Sequence, residues 1–311
     1  MKPFFTNAKI VSANTPTKAY LEFHADAKRG DPVFVMSRGE LVEFDRCPRR
    51  WLAGIESDET KSTEWGTLID GLVLAPGRFK EDFVITPATY PATPKRKDDP
   101  PEQKPWNRNA TYCAEWEENQ IGKTIISNKL YGSAMTAVKR FKEDPEICKL
   151  IGCSQTQVFA TAEYHDVGTK LVVPVKILLD LVPGDGSEFR NVLADLKTCA
   201  SAAPFAWAKA VFEHSYHWQA AMYMDVYNAA LPEAERQDFF HVLQENYPPY
   251  ETGRRLLTSE FVELGRAKYR NALVRYCQCL KNKVWPGYDD DVPRHWQGWQ
   301  FTEPISWMLS Q

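Results

Sequence analysis

Two short apolar runs in the middle of the chain predict a pair of neighbouring β-strands. Residues 172–182 (VVPVKILLDLV) and 189–198 (FRNVLADLKT) are rich in Val and Leu, and a Pro-Gly-Asp-Gly turn signal separates them. Such runs are typical of strands, and the connection favours an antiparallel hairpin. Because residues two apart on a strand share a face, Asp195 and Lys197 are predicted to point the same way. Asp180, on the partner strand, is expected to approach them from the side.

The spacing of apolar residues predicts helices on both sides of this hairpin. A helix is predicted from Ser37, others over 64–76, 112–118, 128–141, 205–227 and 259–280, and strands within 155–173 and 239–250. Ser37 and Glu40 have the spacing of a capping box. The stretch 86–106 contains six prolines, which exclude a regular helix or a central strand and indicate a loop or clamp. Residues 1–35, of mixed polarity, are predicted to be an N-terminal extension.

Composition indicates a folded protein and gives little information about its partners. The 311 residues are 43% hydrophobic and 13% aromatic, with ten Trp, which is enough to build a substantial core. The chain has no apolar run of about 18 residues and no apolar leader at its start, so we expect no membrane segment and a cytoplasmic location. Seven widely spaced cysteines fit reduced thiols there. The net charge of −3 argues neither for nor against nucleic acid, since binding needs only a local basic surface.

Two carboxylates and a lysine on neighbouring strands suit the cleavage of a phosphodiester with the help of a metal. Asp180 and Asp195 can hold a hard cation such as Mg²⁺ through oxygen, and Leu196 can add its backbone carbonyl. The metal activates water and neutralises charge on the scissile phosphate. Lys197 can orient the attacking water or stabilise the pentacovalent phosphorus.

These residues resemble the motif of the PD-(D/E)xK nuclease superfamily. Asp180 matches its first acid and Asp195-x-Lys197 its second acid and lysine, although Leu179 replaces the proline that gives the motif its name. The helix predicted after the hairpin carries Gln219 and Tyr223 four residues apart, hence on one helical face. This resembles the Q-x-x-x-Y motif of the RecB-like branch, which faces the metal site. The resemblance implies an α/β (α+β) fold with a restriction-endonuclease-like core, a central mixed sheet flanked by helices.

The region around Ser37 resembles the opening helix of RecE-like and RecB-like nucleases, which lies at the mouth of the DNA channel. The resemblance implies that Ser37 and Arg38 hold a terminal phosphate, a role suited to the N-terminus of a helix. Arg46 and Arg49 are further candidates for DNA contact, with an ordinary solvated face as the alternative.

Two more acids enter the predicted site through the same resemblance. The helix 64–76 resembles a Gly-Thr-x-x-His helix in which Asp70 stands where the family has a histidine ligand. Aspartate also binds Mg²⁺ or Mn²⁺, so Asp70 is either a metal-site acid or a solvated helix residue. Glu163 lies on the strand before that of Asp180, where several RecE-like nucleases place a glutamate near the metal.

Taken along the whole chain, the motifs resemble a RecE-like exonuclease in a single domain, residues 1–311. Such an enzyme uses Mg²⁺, for which Mn²⁺ substitutes, and digests linear double-stranded DNA from the 5′ end. It leaves a 3′ overhang for a single-strand annealing recombinase, and it forms a homo-oligomer around the DNA. The Pro-rich segment would then lie near DNA, with Lys95, Arg96 and Lys97 either touching phosphates or forming an exposed linker.

Two other functions remain open at this point. Iron–sulfur RecB-like nucleases use four cysteines, and here Cys47 is followed only by Cys277 and Cys279 in suitable regions. A DNA-end binding protein that kept the fold without turnover is the other possibility, and it draws its only support from Asp70 in place of histidine.

Overall fold

The computed structural model describes residues 4–54, 61–94 and 100–290, so Lys95, Arg96 and Lys97 lie outside the described residues. The strands are β1 (Phe5–Ser12), β2 (Met36–Ser37), β3 (Phe83–Ile85), β4 (Thr89–Pro91), β5 (Gln103–Pro105), β6 (Thr124–Ile126), β7 (Ser154–His165), β8 (Val172–Pro183), β9 (Val192–Cys199), β10 (Asp238–Glu245) and β11 (Thr252–Leu256). The helices are α1 (Thr17–Glu22), α2 (Arg38–Arg46), α3 (Pro48–Leu52), α4 (Lys61–Val73), α5 (Phe79–Asp82), α6 (Thr111–Glu118), α7 (Asn128–Phe141), α8 (Pro145–Gly152), α9 (Pro204–Glu213), α10 (Tyr216–Ala230) and α11 (Ser259–Asn282).

A mixed sheet organises the described part of the chain. Its strands run in the order β1-β7-β8-β9-β10-β11, and β2 pairs with the first part of β8. β7 and β8 form a long antiparallel pair, β8 meets β9 antiparallel at Leu181 and Ala194, and β9 runs parallel to β10 along its whole length. The predicted central mixed sheet flanked by helices is therefore confirmed.

Alternation along β9 sends its side chains into two hydrophobic clusters, one on each face of the sheet. Leu193 packs in a cluster with residues of α2, α9, α10 and α11. Val192, Ala194 and Leu196 pack in a second cluster with residues of α4, α7 and α8. On the first side α10 and α11 pack so closely that a Cβ at Gly265 would lie 2.0 Å from the His217 carbonyl oxygen. Only glycine fits at this crossing.

Two segments differ from the prediction because long-range contacts or backbone geometry outweigh the local pattern. Within the predicted extension, β1 is a strand of the main sheet, paired antiparallel with β7. Register shifts and the positive φ of Asn7 interrupt its alternation, which hides the strand from a periodicity argument. The single helix predicted over 205–227 is divided into α9 and α10 at Ser215, whose φ is +56°. The Pro-rich segment contributes β4 and β5, which pair with each other rather than with the main sheet.

Candidate active site

Asp180, Asp195 and Lys197 meet where β8 and β9 pair. Asp195 is 1% exposed, and its Oδ2 forms an ion pair with Lys197 Nζ. Asp180 Oδ2 accepts a hydrogen bond from the backbone N–H of Leu196, 3.0 Å away, which ties the first acid to the strand of the second. The structure thus brings together the two acids and the lysine that the sequence singles out.

An irregularity in the sheet lies at the position of Asp180. Odd-numbered residues from Val173 to Leu179 pack in the first hydrophobic cluster, whereas Leu181 packs in the second, so the alternation of β8 shifts at Asp180. On β7 the residue between the pairing partners of Leu179 and Leu181 is Gln157, whose φ is +48°. Such local breaks in a strand re-aim side chains and recur next to active sites.

Helix α10 supplies the groups that hold Asp195 in place. Gln219 Nε2 donates to Asp195 Oδ1 at 2.6 Å, and Gln219 Oε1 accepts from Arg38 Nη2 at 3.2 Å. With Arg38 bound to its oxygen, the amide of Gln219 presents its nitrogen to the carboxylate. Tyr223, one turn later, is buried, and burial raises the pKa of its hydroxyl, with the Asp195 carboxylate adding to the effect.

Asp70 of α4 reaches the same site from the other side. Gly66 lets α4 approach β9, because a Cβ there would lie 3.3 Å from Thr198 Oγ1. Burial, opposed by the charge of Lys197 and aided by that of Asp195, raises the pKa of Asp70 to about 7. The electrostatic environment of Asp70 is therefore that of the site and not of open solvent.

With all three acids ionised, the site would carry more negative charge than its lysine balances. Burial and the neighbouring carboxylates Asp195 and Asp70 raise the pKa of Asp180 well above its usual range. Burial opposes the charge of Lys197, yet the carboxylates of Asp195 and Asp180 outweigh it and raise the lysine pKa. Three acids thus interact electrostatically with one ammonium group, which is the setting that a divalent cation relieves.

The donor set fits a magnesium-type ion bound through few protein ligands. Asp195 Oδ2 is buried and has no hydrogen-bond donor of good geometry, although it contacts the lysine. Within the described ranges no three or more His, Cys, Asp or Glu side chains are grouped to share one ion. Mg²⁺ is usually held by one or two carboxylates, with water and substrate phosphate as the other ligands. Asp180 and Asp195 are the side chains that would hold it.

Glu163 is not brought to this site. Its partner on β8 is Pro174, six positions before Asp180 and thus about 20 Å away along the strand. Its Oε2 instead accepts from Asn7 Nδ2 at 2.7 Å and lies 3.2 Å from His165 Nε2. The prediction that Glu163 approaches the metal site is wrong, because the pairing register places it near the opposite end of the strand pair.

The four predicted DNA-contact residues separate into two groups. Ser37 Oγ caps α2 by accepting from the Glu40 N–H at 3.2 Å, and Arg38 beside it reaches Gln219. Arg46 lies about 12 Å further along the helix and pairs with an acid one turn earlier. Arg49, on α3, forms an exposed ion pair with Asp290. Of the four, Arg38 is the residue linked to the acid cluster: it donates to Gln219, which in turn donates to Asp195.

Two neighbours of the acids are not among the predicted site residues. His241 on β10 pairs in register with Asp195, is fully buried, and has no hydrogen-bond partner on either ring nitrogen among the described residues. Burial lowers its pKa to about 4, against the attraction of Asp195. Tyr216 begins α10, and its ring centroid lies 5.2 Å from Lys197 Nζ. The spacing of Tyr216 and Gln219, three apart on a helix, was the available signal.

The cysteines do not support the iron–sulfur alternative. Cys47, Cys277 and Cys279 are all buried, and in the part of the chain that the structure describes no three metal-binding side chains come together around them. Burial, with Asp166 nearby, raises the pKa of Cys277 to about 12, which disfavours the thiolate that a cluster needs.

None of the described helices is long and apolar enough to cross a bilayer.

Comparisons with known proteins agree with this fold. Residues 37–292 match a family model described as a PDDEXK-like domain of unknown function (DUF3799). Among solved structures, the chain is similar to a candidate exonuclease from Eubacterium rectale, with a TM-score of 0.57 and 17% identity, over 96% of this chain and 98% of that one. That identity supports a shared fold alone. No curated protein matches the chain.

Proposed function

The chain belongs to the PDDEXK-like family DUF3799, and from this premise we propose that it is a metal-dependent deoxyribonuclease that acts on the ends of linear double-stranded DNA. The observation that carries the proposal is the convergence of Asp180, Asp195 and Lys197. Gln219 of α10 is hydrogen-bonded to Asp195. A partly buried cluster of acids near one lysine has no evident purpose in packing. It matches the needs of phosphodiester hydrolysis.

Each residue has a role that its contacts support. Mg²⁺, or Mn²⁺ in its place, would supply an activated water and neutralise charge on the scissile phosphate, held by Asp180 and Asp195 with the carbonyl of Leu196. Lys197 stays protonated at neutral pH, because the acids raise its pKa, and it can bind a phosphate oxygen or orient the water. Gln219 keeps the carboxylate of Asp195 in one orientation, and Arg38 fixes the amide of Gln219.

The direction of digestion and the partners are finer parts of the proposal. A 5′-to-3′ exonuclease would leave a 3′ single strand for an annealing recombinase, and a homo-oligomer that encloses the duplex would keep a chain of net charge −3 on DNA. The resemblance of the motifs to RecE-like nucleases supports these parts.

Digestion of labelled DNA tests the proposal. A linear duplex labelled at its 5′ or its 3′ end is incubated with the protein and Mg²⁺, beside a closed circle of the same sequence. We expect early release of the 5′ label, an intact circle and no reaction in EDTA. Cutting of the circle would indicate an endonuclease, and early release of the 3′ label would reverse the direction. Tight binding of ends without cutting, with any divalent metal, would overturn the nuclease and favour a DNA-end binding protein.

A further inference from the structure

The ammonium group of the candidate catalytic lysine contacts an aromatic ring as well as an acid. Lys197 Nζ forms the ion pair with Asp195, and it also lies over the ring of Tyr216, 5.2 Å from the ring centroid. A cation within about 6 Å of a ring centroid is attracted by the negative face of the ring. The lysine side chain is 18% exposed, so this attraction is stronger than it would be in open solvent.

One face of α10 serves both residues of the Asp195-x-Lys197 motif. Tyr216 and Gln219 are three residues apart on this helix and share a face, as Asp195 and Lys197 do on β9. Gln219 donates to Asp195, and Tyr216 lies at Lys197. The left-handed backbone of Ser215 separates α10 from α9, which makes Tyr216 the first residue of α10. Tyr216 thus stands to the lysine as Gln219 stands to the acid.

Other aromatic side chains hold the ring of Tyr216 in place. Trp207 of α9 is 3% exposed and stacks on Tyr216, with 5.4 Å between the ring centroids and 20° between the planes. His241 of β10 meets Trp207 edge to face at 5.2 Å and lies 6.1 Å from Tyr216. Side chains packed in this way have few alternative positions. The ring that Lys197 contacts is therefore fixed by its surroundings.

We propose that Tyr216 is a positioning residue, whose ring holds the ammonium of Lys197 where a phosphate of the DNA would bind. A lysine has a flexible four-carbon stem, so its charge needs a fixed contact. The carboxylate of Asp195 is also a proposed metal ligand, whereas the ring is free of that second use. Attraction to a ring face leaves N–H groups of the ammonium available to phosphate oxygens. This inference deepens the proposed nuclease function and rests on it.

Fluorination of the ring tests the contact while keeping the shape of the site. Tyr216 is replaced by phenylalanine or by trifluorophenylalanine, in which fluorine withdraws electrons from the ring face and weakens its attraction for a cation. Tyr216→Phe should keep the maximal rate of digestion within about twofold, and the fluorinated ring should lower it about tenfold, as expected for a partly desolvated cation. The Mg²⁺ concentration for half-maximal activity should stay the same, because the proposed role concerns the lysine and not the metal ligands.

The same two replacements at Tyr131 are the matched control. Tyr131 of α7 is also partly buried and packs against another ring, that of Phe79. We expect equal rates for its phenylalanine and trifluorophenylalanine proteins. Equal rates for the two proteins changed at Tyr216 would overturn the inference.

A second measurement observes the contact itself and needs no activity. In protein with ¹³C-labelled lysine in EDTA, the ε-methylene signal of Lys197 is identified by its loss in Lys197→Arg. The ring current of Tyr216 should shift this signal upfield of those of exposed lysines. The shift should persist in Tyr216→Phe and disappear in Tyr216→Leu, and the wild type and Tyr216→Phe decide the matter if the leucine variant does not fold. An ordinary position of the signal in the wild type, or an unchanged shift in Tyr216→Leu, would contradict the contact.

The outcome is separable from that of the proposed function. Digestion by the wild type that fluorination does not slow refutes the role of Tyr216 and leaves the nuclease standing. An upfield lysine signal that depends on Tyr216, in a protein that cuts no DNA, supports the contact and refutes the nuclease.

Discussion

Helix α10 contacts two clusters of partly buried charged residues. In one the basic groups outnumber the acid, and in the other the acids outnumber the base. Towards its C-terminal half, Asp225 accepts hydrogen bonds from Arg266, with Nε at 3.0 Å and Nη2 at 2.8 Å, from Arg270 Nη2 at 2.6 Å and from the hydroxyl of Tyr269. One carboxylate is thus surrounded by two guanidinium groups and a phenol. This cluster joins α10 to α11 and leaves no oxygen of Asp225 without a donor.

Near its N-terminal half, α10 contacts a cluster in which the acids outnumber the base. Asp195 contacts Lys197, Asp70 and Asp180 interact with it electrostatically, and the pKa values of Asp70 and Asp180 are raised by burial and by their neighbours. The chain satisfies the charge of Asp225 itself, whereas it leaves the second cluster to be completed from outside. The difference separates a structural charge cluster from one whose residues fit the proposed binding of a cation and a phosphate.

The largest expected effect comes from removing the charge of Asp195. Asp195→Asn keeps the shape of the side chain but weakens the metal site, and a metal contributes several kcal/mol of transition-state stabilisation, about a thousandfold in rate. Initial rates of digestion with Mg²⁺ measure the loss. The melting temperature should change little, because repulsion from Asp180 and Asp70 is relieved as the ion pair with Lys197 is lost. Full activity in this variant would overturn the assignment of the site.

Asp225→Asn should lower the stability of the protein and leave its activity unchanged, the reverse of Asp195→Asn. The substitution removes the negative charge and replaces one acceptor oxygen by an NH2 group that faces the donors of Arg266 and Arg270. We therefore expect the free energy of unfolding to fall by about 2–3 kcal/mol, or roughly 4–12 °C in Tm. Glu263→Gln is the control, because the exposed Glu263 also pairs with Arg266, and there the loss should stay below about 0.5 kcal/mol. Urea unfolding measures both. Digestion by the folded protein at low temperature should be unchanged, and a large loss of rate would show that the two clusters are coupled.

A third change tests whether Gln219 positions the acid. Gln219→Met removes the hydrogen bonds to Asp195 and Arg38 while keeping the volume, and loss of such a supporting contact typically costs 10–100-fold in metal affinity or activity. The Mg²⁺ concentration for half-maximal activity should therefore rise by roughly tenfold or more. The same replacement at the exposed Gln278 serves as the control. An unchanged Mg²⁺ requirement would mean that Gln219 has a packing role only.

The sequence predicts those site residues whose side-chain direction follows from the periodicity of one strand or one helix. Asp195 and Lys197 share a face because strand side chains alternate, and Gln219 faces Asp195 from a helix predicted by its apolar spacing. Asp70 also enters the site, through a motif resemblance that left its role open. In these cases a short stretch of chain decides the direction of each side chain.

Long-range pairing decides the rest, and local patterns do not contain it. The prediction for Glu163 is wrong because contacts along the whole strand pair set the register of β7 with β8. That register places the glutamate far from Asp180. His241 sits in an apolar run that also fits an ordinary core strand, and only the parallel pairing of β10 with β9 brings it to Asp195. The sequence does not predict β1 as a strand of the main sheet for the same reason, because its pairing with β7 is long-range.

The smallest expected effect concerns Asp70 and the pH dependence of stability. Its pKa is about 7 in the folded protein, against an ordinary value of 3.8, so between these pH values the folded state keeps a proton that the unfolded state releases. Without metal, the stability of the wild type should therefore fall as the pH rises from about 4 to 7 and stay lower above that.

Because an asparagine side chain does not titrate, Asp70→Asn should match the wild type near pH 4 and exceed it at pH 8, by on the order of 1 kcal/mol given solvent screening at this half-buried position. Urea unfolding in EDTA across this range measures the difference, and Asp26→Asn, at an exposed position, should show none. Mg²⁺ at pH 8 should then stabilise the wild type more than the variant, because the ion offsets the repulsion that Asp70 adds. Parallel curves for the two proteins would mean that Asp70 does not share the excess charge that distinguishes this cluster from that of Asp225.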